Sequence, residues 1–289
     1  TWCLVGSEMC IRDRKSGVLN LGVEGMMLMG AVAAFGAALV SGSPYLGIIT
    51  GGLAGMATAA VFALFTLGLA TNQVATGLAL TIFGTGLSGL IGAPLVGQAI
   101  EGLPELHIGM LAQIPVFGAA FKLDIMAYGC IFLVALTAWF LSSTRAGLIL
   151  RSVGINHDSA HALGYPVLMI RSLAVLFGGF MAGLGGAYLP LVLTPHWAEG
   201  MTAGRGWIAL ALVVFASWRP WRLVAGAILF GGVTIMQLAG QAKGWTIPPQ
   251  FLSMLPYLAT IFVLVFISSR GRNYFGAPAH LGRVFHPTR

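Results

Sequence analysis

Glu24 is a candidate for chemistry because it is a charged residue within the first long apolar run, with its carboxylate about one turn inside that run. An ionised carboxylate in an apolar layer is costly unless it faces water or a partner. Two interpretations are equally open. Glu24 could line a polar pathway, or it could lie near an interface and pair with Lys15 or with a backbone amide. Asn20, four residues earlier, allows the same two interpretations.

A second polar group, formed by Asn72, Gln73 and Thr76, opens another apolar run. Residues three and four apart share one face of a helix, so these amide and hydroxyl groups could hydrogen-bond a polar solute together. The alternative is structural, with Asn72 capping the helix and Gln73 joining neighbouring helices. For any one of these residues the structural interpretation is somewhat favoured.

A third group lies in residues 199–206, where Glu199 and Arg205 accompany three glycines just before an apolar run. Broken helices with exposed backbone line transport pathways, which makes both charged residues candidates for a solute pathway. An ion pair between them that only fixes a loop is the slightly favoured alternative.

Residues 143–170 form the longest polar interruption in the second half of the chain, and loops of this length are usually functional. His157 and His161 are four residues apart, but they lack the further ligands that zinc requires, so we expect solvated histidines. The three cysteines show no metal spacing, and the sequence contains no phosphate-binding GxxxxGK[ST] loop or hydrolase motif. The sequence predicts no catalytic residue, metal site or cofactor, and a partner must supply any ATP hydrolysis.

Composition decides which elements position these groups. Of the 289 residues, 57% are hydrophobic and only 8% are charged, which predicts an all-α polytopic membrane bundle and not a nucleic-acid-binding protein. The 41 glycines allow close helix packing in lipid. Apolar runs predict about eight spans, at 21–41, 46–70, 73–97, 123–142, 171–190, 206–218, 223–241 and 252–269. The sixth is short and could begin in a re-entrant segment.

The basic residues predict how the chain is oriented. With eight spans, ten Lys and Arg residues fall on the side of both termini and three on the other side. Because positive charge accumulates in cytoplasmic loops, both termini are predicted to be cytoplasmic in a bacterial-type inner membrane. Residues 15–270 would form the membrane domain, and residues 271–289 would form a cytoplasmic tail.

The first fourteen residues do not fit this pattern. They are neither a signal peptide nor a membrane span, and residues 3–14 (CLVGSEMCIRDR) closely resemble a translated sequencing adapter. We therefore expect a native chain that begins near Lys15 and exclude residues 1–14 from functional reasoning.

Several segments together resemble the ABC-importer permeases of the simple-sugar, nucleoside and branched-chain-amino-acid group, and the resemblance covers the whole chain. The segments are residues 16–30 (SGVLNLGVEGMMLMG), 72–80 (NQVATGLAL), 147–156 (GLILRSVGIN), 182–188 (AGLGGAY) and 202–211 (TAGRGWIALA). The resemblance is closest to the nucleoside-type branch. It implies a second permease subunit, a cytoplasmic ATPase and an extracytoplasmic binding protein as partners, and one further native span before residue 16.

The resemblance also implies a short coupling helix within residues 147–166 that docks on the ATPase. Arg151, Gly154, Asn156 and Gly164 become its coupling candidates. The family has Glu and Pro around the asparagine, whereas this chain has Ile155 and His157.

The predicted function is an ATP-driven importer's permease subunit that carries a nucleoside or a simple sugar and is not itself an enzyme. Its substrate-pathway candidates are Glu24, Asn72, Gln73, Thr76, Glu199 and Arg205. Two alternatives stay open: an ion-coupled secondary transporter, and a membrane scaffold subunit that transports nothing.

Overall fold

Long apolar runs punctuated by glycine and proline form a helical bundle in the computed structural model. The structure describes residues 15–107, 122–215 and 220–242, together with residues 251, 254, 258, 261, 262, 265, 281, 282 and 285. The proposed adapter-like residues 1–14 lie outside the described residues, as does most of the predicted span 252–269.

Nine helices lie in the described part of the chain. They are α1 (Val23–Ser41), α2 (Pro44–Ala63), α3 (Gln73–Gly92), α4 (Ile125–Ser143), α5 (Arg145–Ile155), α6 (His157–Ala162), α7 (Val167–Tyr188), α8 (Arg205–Phe215) and α9 (Pro220–Ala242). A π-helical turn extends α2 over Leu64–Gly68 and α7 over Leu189–Leu193, and a 3-10 turn extends α3 over Ala93–Leu95.

Local sequence sets several of these boundaries. Gly42 ends α1 with a left-handed φ of 68°, which glycine adopts without a Cβ penalty, and its N–H donates to Ala38 O at 2.9 Å. Pro44 starts α2, where a missing N–H costs nothing. Asp124 caps α4 by accepting from Ala127 N at 2.8 Å.

Two short strands lie between α3 and α4. The strands β1 (Glu105–His107) and β2 (Lys122–Asp124) pair antiparallel, with Glu105 opposite Asp124.

Glycines bring the central helices α1, α2 and α7 into backbone contact. A Cβ added at Gly30 would lie 2.5 Å from Gly183 Cα, and one at Gly51 would lie 2.9 Å from Gly30 O. Gly55 packs on Gly183 and Gly179 in the same way. Small residues permit this approach and its dispersion contacts, as expected for helices in lipid. These contacts run in opposite order along α2, so α2 is antiparallel to both α1 and α7.

The helical class is as predicted, and five described helices are long and apolar enough to cross a membrane. They match the predicted spans 21–41, 46–70, 73–97, 123–142 and 171–190, although the fifth begins earlier, at Val167. The total of eight spans stays a prediction. α1 is the most enclosed of the five, because 67% of its apolar stretch is buried, against 22% for α3.

Candidate functional site

The carboxylate of Glu24 meets the N-terminus of α8. Gly204 N–H donates to its Oε1 at 2.9 Å, and Gly206 N–H donates to its Oε2 at 2.6 Å. The hydroxyl of Thr202 also donates to Oε1. Glu24 is 7% exposed and Thr202 is fully buried. We call this set of three hydrogen bonds the Glu24 contact.

The sequence of residues 202–206 explains why a carboxylate belongs there. The first N–H groups of a helix have no partner within the helix and carry partial positive charge, so a carboxylate stabilises them. Gly204 adopts a φ of 80° as the chain turns into α8. At Gly206 a Cβ would lie 2.6 Å from Glu24 Oε2, so only glycine leaves room for the carboxylate.

The Glu24 contact lies inside the bundle and not at its end. α3 runs parallel to α1, and a Cβ added at Gly25 would lie 3.0 Å from Thr81 Cα. Thr81 is eight residues beyond Gln73, the first residue of α3, or about 12 Å at about 1.5 Å per residue. Glu24 is therefore well within an apolar layer about 30 Å thick. Its position at the start of its own helix concealed this depth, because α1 begins deeper in the bundle than α3 does.

A non-helical segment, residues 194–204, leads from the end of α7 down to this contact. His196 pairs with Ala99 near the far end of the bundle, and the Trp197 ring then packs on the backbone of Gly92. Glu199 follows, with Oε1 placed 3.2 Å from a Cβ added at Gly89. The segment thus passes along α3 toward Glu24. The predicted sixth span, 206–218, corresponds to α8, which begins after this non-helical segment; a re-entrant course of the segment stays a prediction.

The structure separates the predicted pathway residues. Arg205 lies between Gly204 and Gly206, whose N–H groups bind Glu24. Its Nη1 donates to Met201 O at 3.4 Å. Glu199 is exposed and lies beside Gly89, near the C-terminal end of α3. Asn72, Gln73 and Thr76 lie at the opposite end of α3 from Gly89. A role in solute binding stays a prediction for all six.

The residues that open α3 have structural partners. Asn72 Oδ1 accepts from Val74 N at 2.9 Å and from Ala75 N at 3.1 Å, so Asn72 caps α3. Gln73 is 2% exposed, and its Oε1 accepts from Leu19 N at 2.7 Å. Thr76 shares a 2.9 Å hydrogen bond with the hydroxyl of Thr71. The capping and joining roles that the sequence favoured are present.

The Gln73 Nε2 group is the exception, since it is buried with no hydrogen-bond partner among the described residues. The Nε1 group of Trp197 is in the same condition. Unpaired buried donors are costly, so each of these two groups, near opposite ends of α3, is available to donate to a bound polar molecule.

The predicted coupling segment contains two helices, α5 and α6, joined at Asn156. Asn156 Oδ1 accepts from Ser159 N at 3.0 Å and caps α6. Gly164 ends this helical pair with a φ of 85°. Gly154 packs its backbone on Lys15, and the Nε of Arg151 is buried with no hydrogen-bond partner among the described residues. Docking of an ATPase on these residues stays a prediction.

The expectation of solvated histidines is wrong for His157, which is 5% exposed. Arg171, fully buried one turn into α7, donates from Nη2 to His157 Nδ1 at 3.3 Å. Arg171 Nε also donates to Ser16 O at 3.0 Å. Arg171 is one of the ten basic residues assigned above to the side of the termini, because the predicted fifth span, 171–190, begins at this residue. Apolar residues on both sides of Arg171 were the available signal for burial.

The hydrogen bonds of this arrangement hold helices in position. No group of three or more His, Cys, Asp or Glu residues that could hold a metal occurs in the described ranges. What the site offers is one carboxylate held by a helix end, two buried donors and a break in the helical backbone at depth. These features suit the movement of helices around a polar solute.

Comparisons with known proteins agree with this description. A family model described as branched-chain amino acid transport system / permease component matches residues 5–264. The chain is similar to TsgC13 of Haloferax volcanii, an ABC transporter permease protein provisionally named for glucose, with 40% identity over 275 residues. It is also similar to the nucleoside ABC transporter permease protein NupC of Lactococcus lactis, with 32% identity over 266 residues.

A third relative is the guanosine ABC transporter permease protein NupQ of Bacillus subtilis, with 30% identity over 268 residues. Each of the three alignments covers 87% of this chain and 84% of the relative. No solved structure matches the chain.

Proposed function

Because the chain belongs to the branched-chain amino acid transport system permease family, we propose that it forms the membrane pathway for a nucleoside or a simple sugar. The chain is a permease subunit of an ABC importer and a multi-pass inner-membrane protein. The relatives' names support the solute class, since glucose, nucleosides and guanosine are neutral, hydroxyl-rich molecules. The higher identity to TsgC13 keeps hexoses in that class beside nucleosides.

The observation that carries the proposal is the Glu24 contact. Helix ends and non-helical backbone at membrane depth occur where they are enclosed by protein or line a cavity. Here α1 and α8 both begin at depth, and a carboxylate on one holds the N–H groups of the other. Movement of α8 relative to α1 would open or close a passage at this level, which alternating access requires.

Solute recognition in this proposal uses few polar groups in an apolar wall. The buried N–H groups of Gln73 and Trp197 are suited to donate to a solute's hydroxyl oxygens or ring acceptor atoms. Glu199 would act nearer the mouth of the pathway, Arg205 at the level of Glu24, and Asn72 and Thr76 at the other end. Glu24 would act through helix positioning.

The partners follow from the same proposal. An ATPase and a substrate-binding protein accompany ABC permeases in general. We place the ATPase at α5 and α6, with Arg151, Gly154, Asn156 and Gly164 as coupling candidates, and a second permease subunit at the membrane-facing helices. Both termini would then lie in the cytoplasm, as the distribution of basic residues predicts.

Uptake by cells that carry the complete transporter, with and without this subunit, tests the proposal. The panel consists of radiolabelled adenosine, guanosine, uridine, glucose and ribose, with leucine as the control for the family description. Subunit-dependent uptake of a nucleoside or sugar is expected. Dependence for leucine alone would contradict the proposed solute class, and uptake that ignores the subunit would contradict the pathway.

Membership of an ABC permease family argues against the two alternatives raised by the sequence, an ion-coupled transporter and a scaffold. An ATPase variant that binds ATP but does not hydrolyse it distinguishes the proposal from an ion-coupled transporter. It abolishes uptake under the proposal, whereas an ion-coupled carrier would keep it.

A further inference from the structure

The α5–α6 pair (Arg145–Ala162) lies directly on the backbone that leads to Glu24. A Cβ added at Gly154 would overlap Lys15 O and lie 3.1 Å from Gly17 N. Leu150 and Val153, on the same helix, are buried with 5% and 0% exposure. The backbones of α5 and residues 15–17 touch directly here, so a movement of one away from the other would break this contact.

Arg171 joins the same two parts through side-chain hydrogen bonds. Its guanidinium donates from Nε to Ser16 O at 3.0 Å and from Nη2 to His157 Nδ1 at 3.3 Å. Arginine has no acceptor, so His157 Nδ1 must accept and the ring proton lies on Nε2, which is 3.6 Å from Asp158 Oδ1. A buried arginine held in this way is costly to release. Arg171 therefore links the start of α6 to Ser16.

The C-terminal part of the chain adds a third link. Gly282 N–H donates to Gly17 O at 3.0 Å. The Phe285 ring makes edge contacts with His157, at 5.2 Å between ring centroids, and with His161, at 5.4 Å. Phe285 is 7% exposed and packs in one cluster with Val153, Ala160 and Val167. We call the bonds and packing of residues 282 and 285 the tail contact.

Residues 15–17 are close in sequence to Glu24. The intervening residues are not helical and are themselves held, because Leu19 N donates to Gln73 Oε1 at 2.7 Å and Gly22 N donates to Asn20 Oδ1 at 2.9 Å. A displacement of residues 15–17 would therefore be transmitted through this short, packed segment to the Glu24 contact.

We infer that Arg171, Gly282 and Phe285 are positioning residues of the transport cycle: they keep the α5–α6 pair and residues 15–17 together as one unit, so that movement of α5–α6 is transmitted to Glu24 and α8. This inference rests on the proposed function, since it takes α5–α6 as the place where the ATPase acts. It assigns to residues 282 and 285 a role that their position after the last predicted span does not suggest.

The functional test measures solute uptake per ATP hydrolysed in proteoliposomes that contain the complete transporter. Phe285→Ala is compared with Phe285→Leu, which keeps apolar volume, and with Phe132→Ala, a matched change on α4 where the ring is 66% exposed. We expect Phe285→Ala to lower uptake per ATP about fivefold or more, the scale of coupling energies between sites. Phe285→Leu should recover most of the ratio, and Phe132→Ala should leave it unchanged.

A purely structural role predicts a different outcome, in which uptake and ATP hydrolysis fall in parallel and their ratio is constant. That result would overturn the inference, as would an unchanged ratio with both rates at the wild-type level.

A crosslinking test of the tail contact can be read without any solute. A Cβ added at Gly282 would lie 3.7 Å from Leu19 Cβ, close to the mean of about 3.8 Å in disulfides. In a cysteine-free background, Leu19→Cys with Gly282→Cys should crosslink on mild oxidation. Ser43→Cys with Gly282→Cys should not, because Ser43 lies beyond the opposite end of α1.

The crosslinked transporter also tests whether the unit moves as one. Uptake per ATP within about twofold of the reduced sample is expected. If no crosslink forms, or if oxidation abolishes uptake and reduction restores it, the inference fails. Failure of every solute in the uptake panel would contradict the proposed function alone, because the crosslink is read without any solute.

Discussion

Replacing Glu24 by glutamine tests whether its carboxylate holds α8 in place. Glutamine keeps the size of the side chain, but it offers one acceptor oxygen and a donor NH₂ group where glutamate offers two acceptor oxygens. With its oxygen at the position of Oε1, its NH₂ group faces the Gly206 N–H that donates to Glu24 Oε2 at 2.6 Å, so two donors meet and no hydrogen bond forms. One buried donor is therefore left without a partner, and the charge at the helix end is lost.

The expected cost follows from these two changes. An unsatisfied buried donor costs about 1–3 kcal/mol, and a charge at a helix terminus contributes about 0.3–1 kcal/mol. Part of this cost is offset, because a neutral amide is less costly to bury than a carboxylate. We take about 2 kcal/mol as the net loss, which corresponds to a roughly 30-fold larger population with α8 detached.

Thiol labelling measures that population directly. Ala209 is on α8 and fully buried, so a cysteine placed there reacts only when the helix opens, and its rate follows the open fraction. In a background without other cysteines, Glu24→Gln should raise the labelling rate roughly 30-fold. The matched control is Glu199→Gln, an exposed carboxylate before the same helix, which should change the rate by less than about twofold.

The opposite result would refute the reasoning. If Glu24→Gln leaves labelling of residue 209 unchanged while it raises the KM for uptake, then Glu24 binds the solute and does not position α8. A double-mutant cycle with Thr202→Val adds a second check, because two residues in one hydrogen-bonded contact should show non-additive effects on the labelling rate.

Three further predictions concern the packing and capping of the bundle. Gly183→Ala should lower the midpoint of thermal unfolding in detergent through about 1–3 kcal/mol of overpacking, because its Cβ would overlap Gly51 O, whereas Gly86→Ala should not, since nothing lies within 4 Å of a Cβ there. Asn72→Ala should destabilise the start of α3 by about 1 kcal/mol, seen as faster amide hydrogen exchange in its first turn. Tyr188→Phe should cost about 1 kcal/mol in the same unfolding assay by removing its 3.1 Å hydrogen bond to Asp124; an unchanged midpoint would contradict that bond.

Hydrophobicity predicted the long helices well, because their length and composition are properties of contiguous sequence. The predicted first span, residues 21–41, corresponds to α1 at Val23–Ser41. Residues 143–170 were less accessible to this reasoning. Their two helices are only eleven and six residues long, and partners elsewhere in the chain hold them in place.

The site was predicted in part. Glu24 was identified from its charge in an apolar run, and a backbone amide was among its predicted partners. Its true partners, in residues 202–206, are about 180 positions away, and no local pattern specifies that pairing. The depth of Glu24 was hidden for the same reason, since it depends on the stagger of α1 against α3. Phe285 was missed because it lies beyond the last predicted span, where only tertiary contacts indicate a role.

The nature of the partners that hold Glu24 bears on how a permease can keep a carboxylate at depth and still move. A lysine or arginine partner would leave two uncompensated charges in the apolar layer whenever the contact opened. The N–H groups of Gly204 and Gly206 are neutral, so opening the contact exposes only one charge, and the N–H groups can bond elsewhere in the non-helical segment. A helix end therefore gives a contact strong enough to define one conformation and weak enough to be broken by ATP-driven movement. For a neutral solute such as a sugar or nucleoside this has a second consequence, because a carboxylate held by two backbone N–H groups and the Thr202 hydroxyl attracts cations into the closed pathway less strongly than a free carboxylate would.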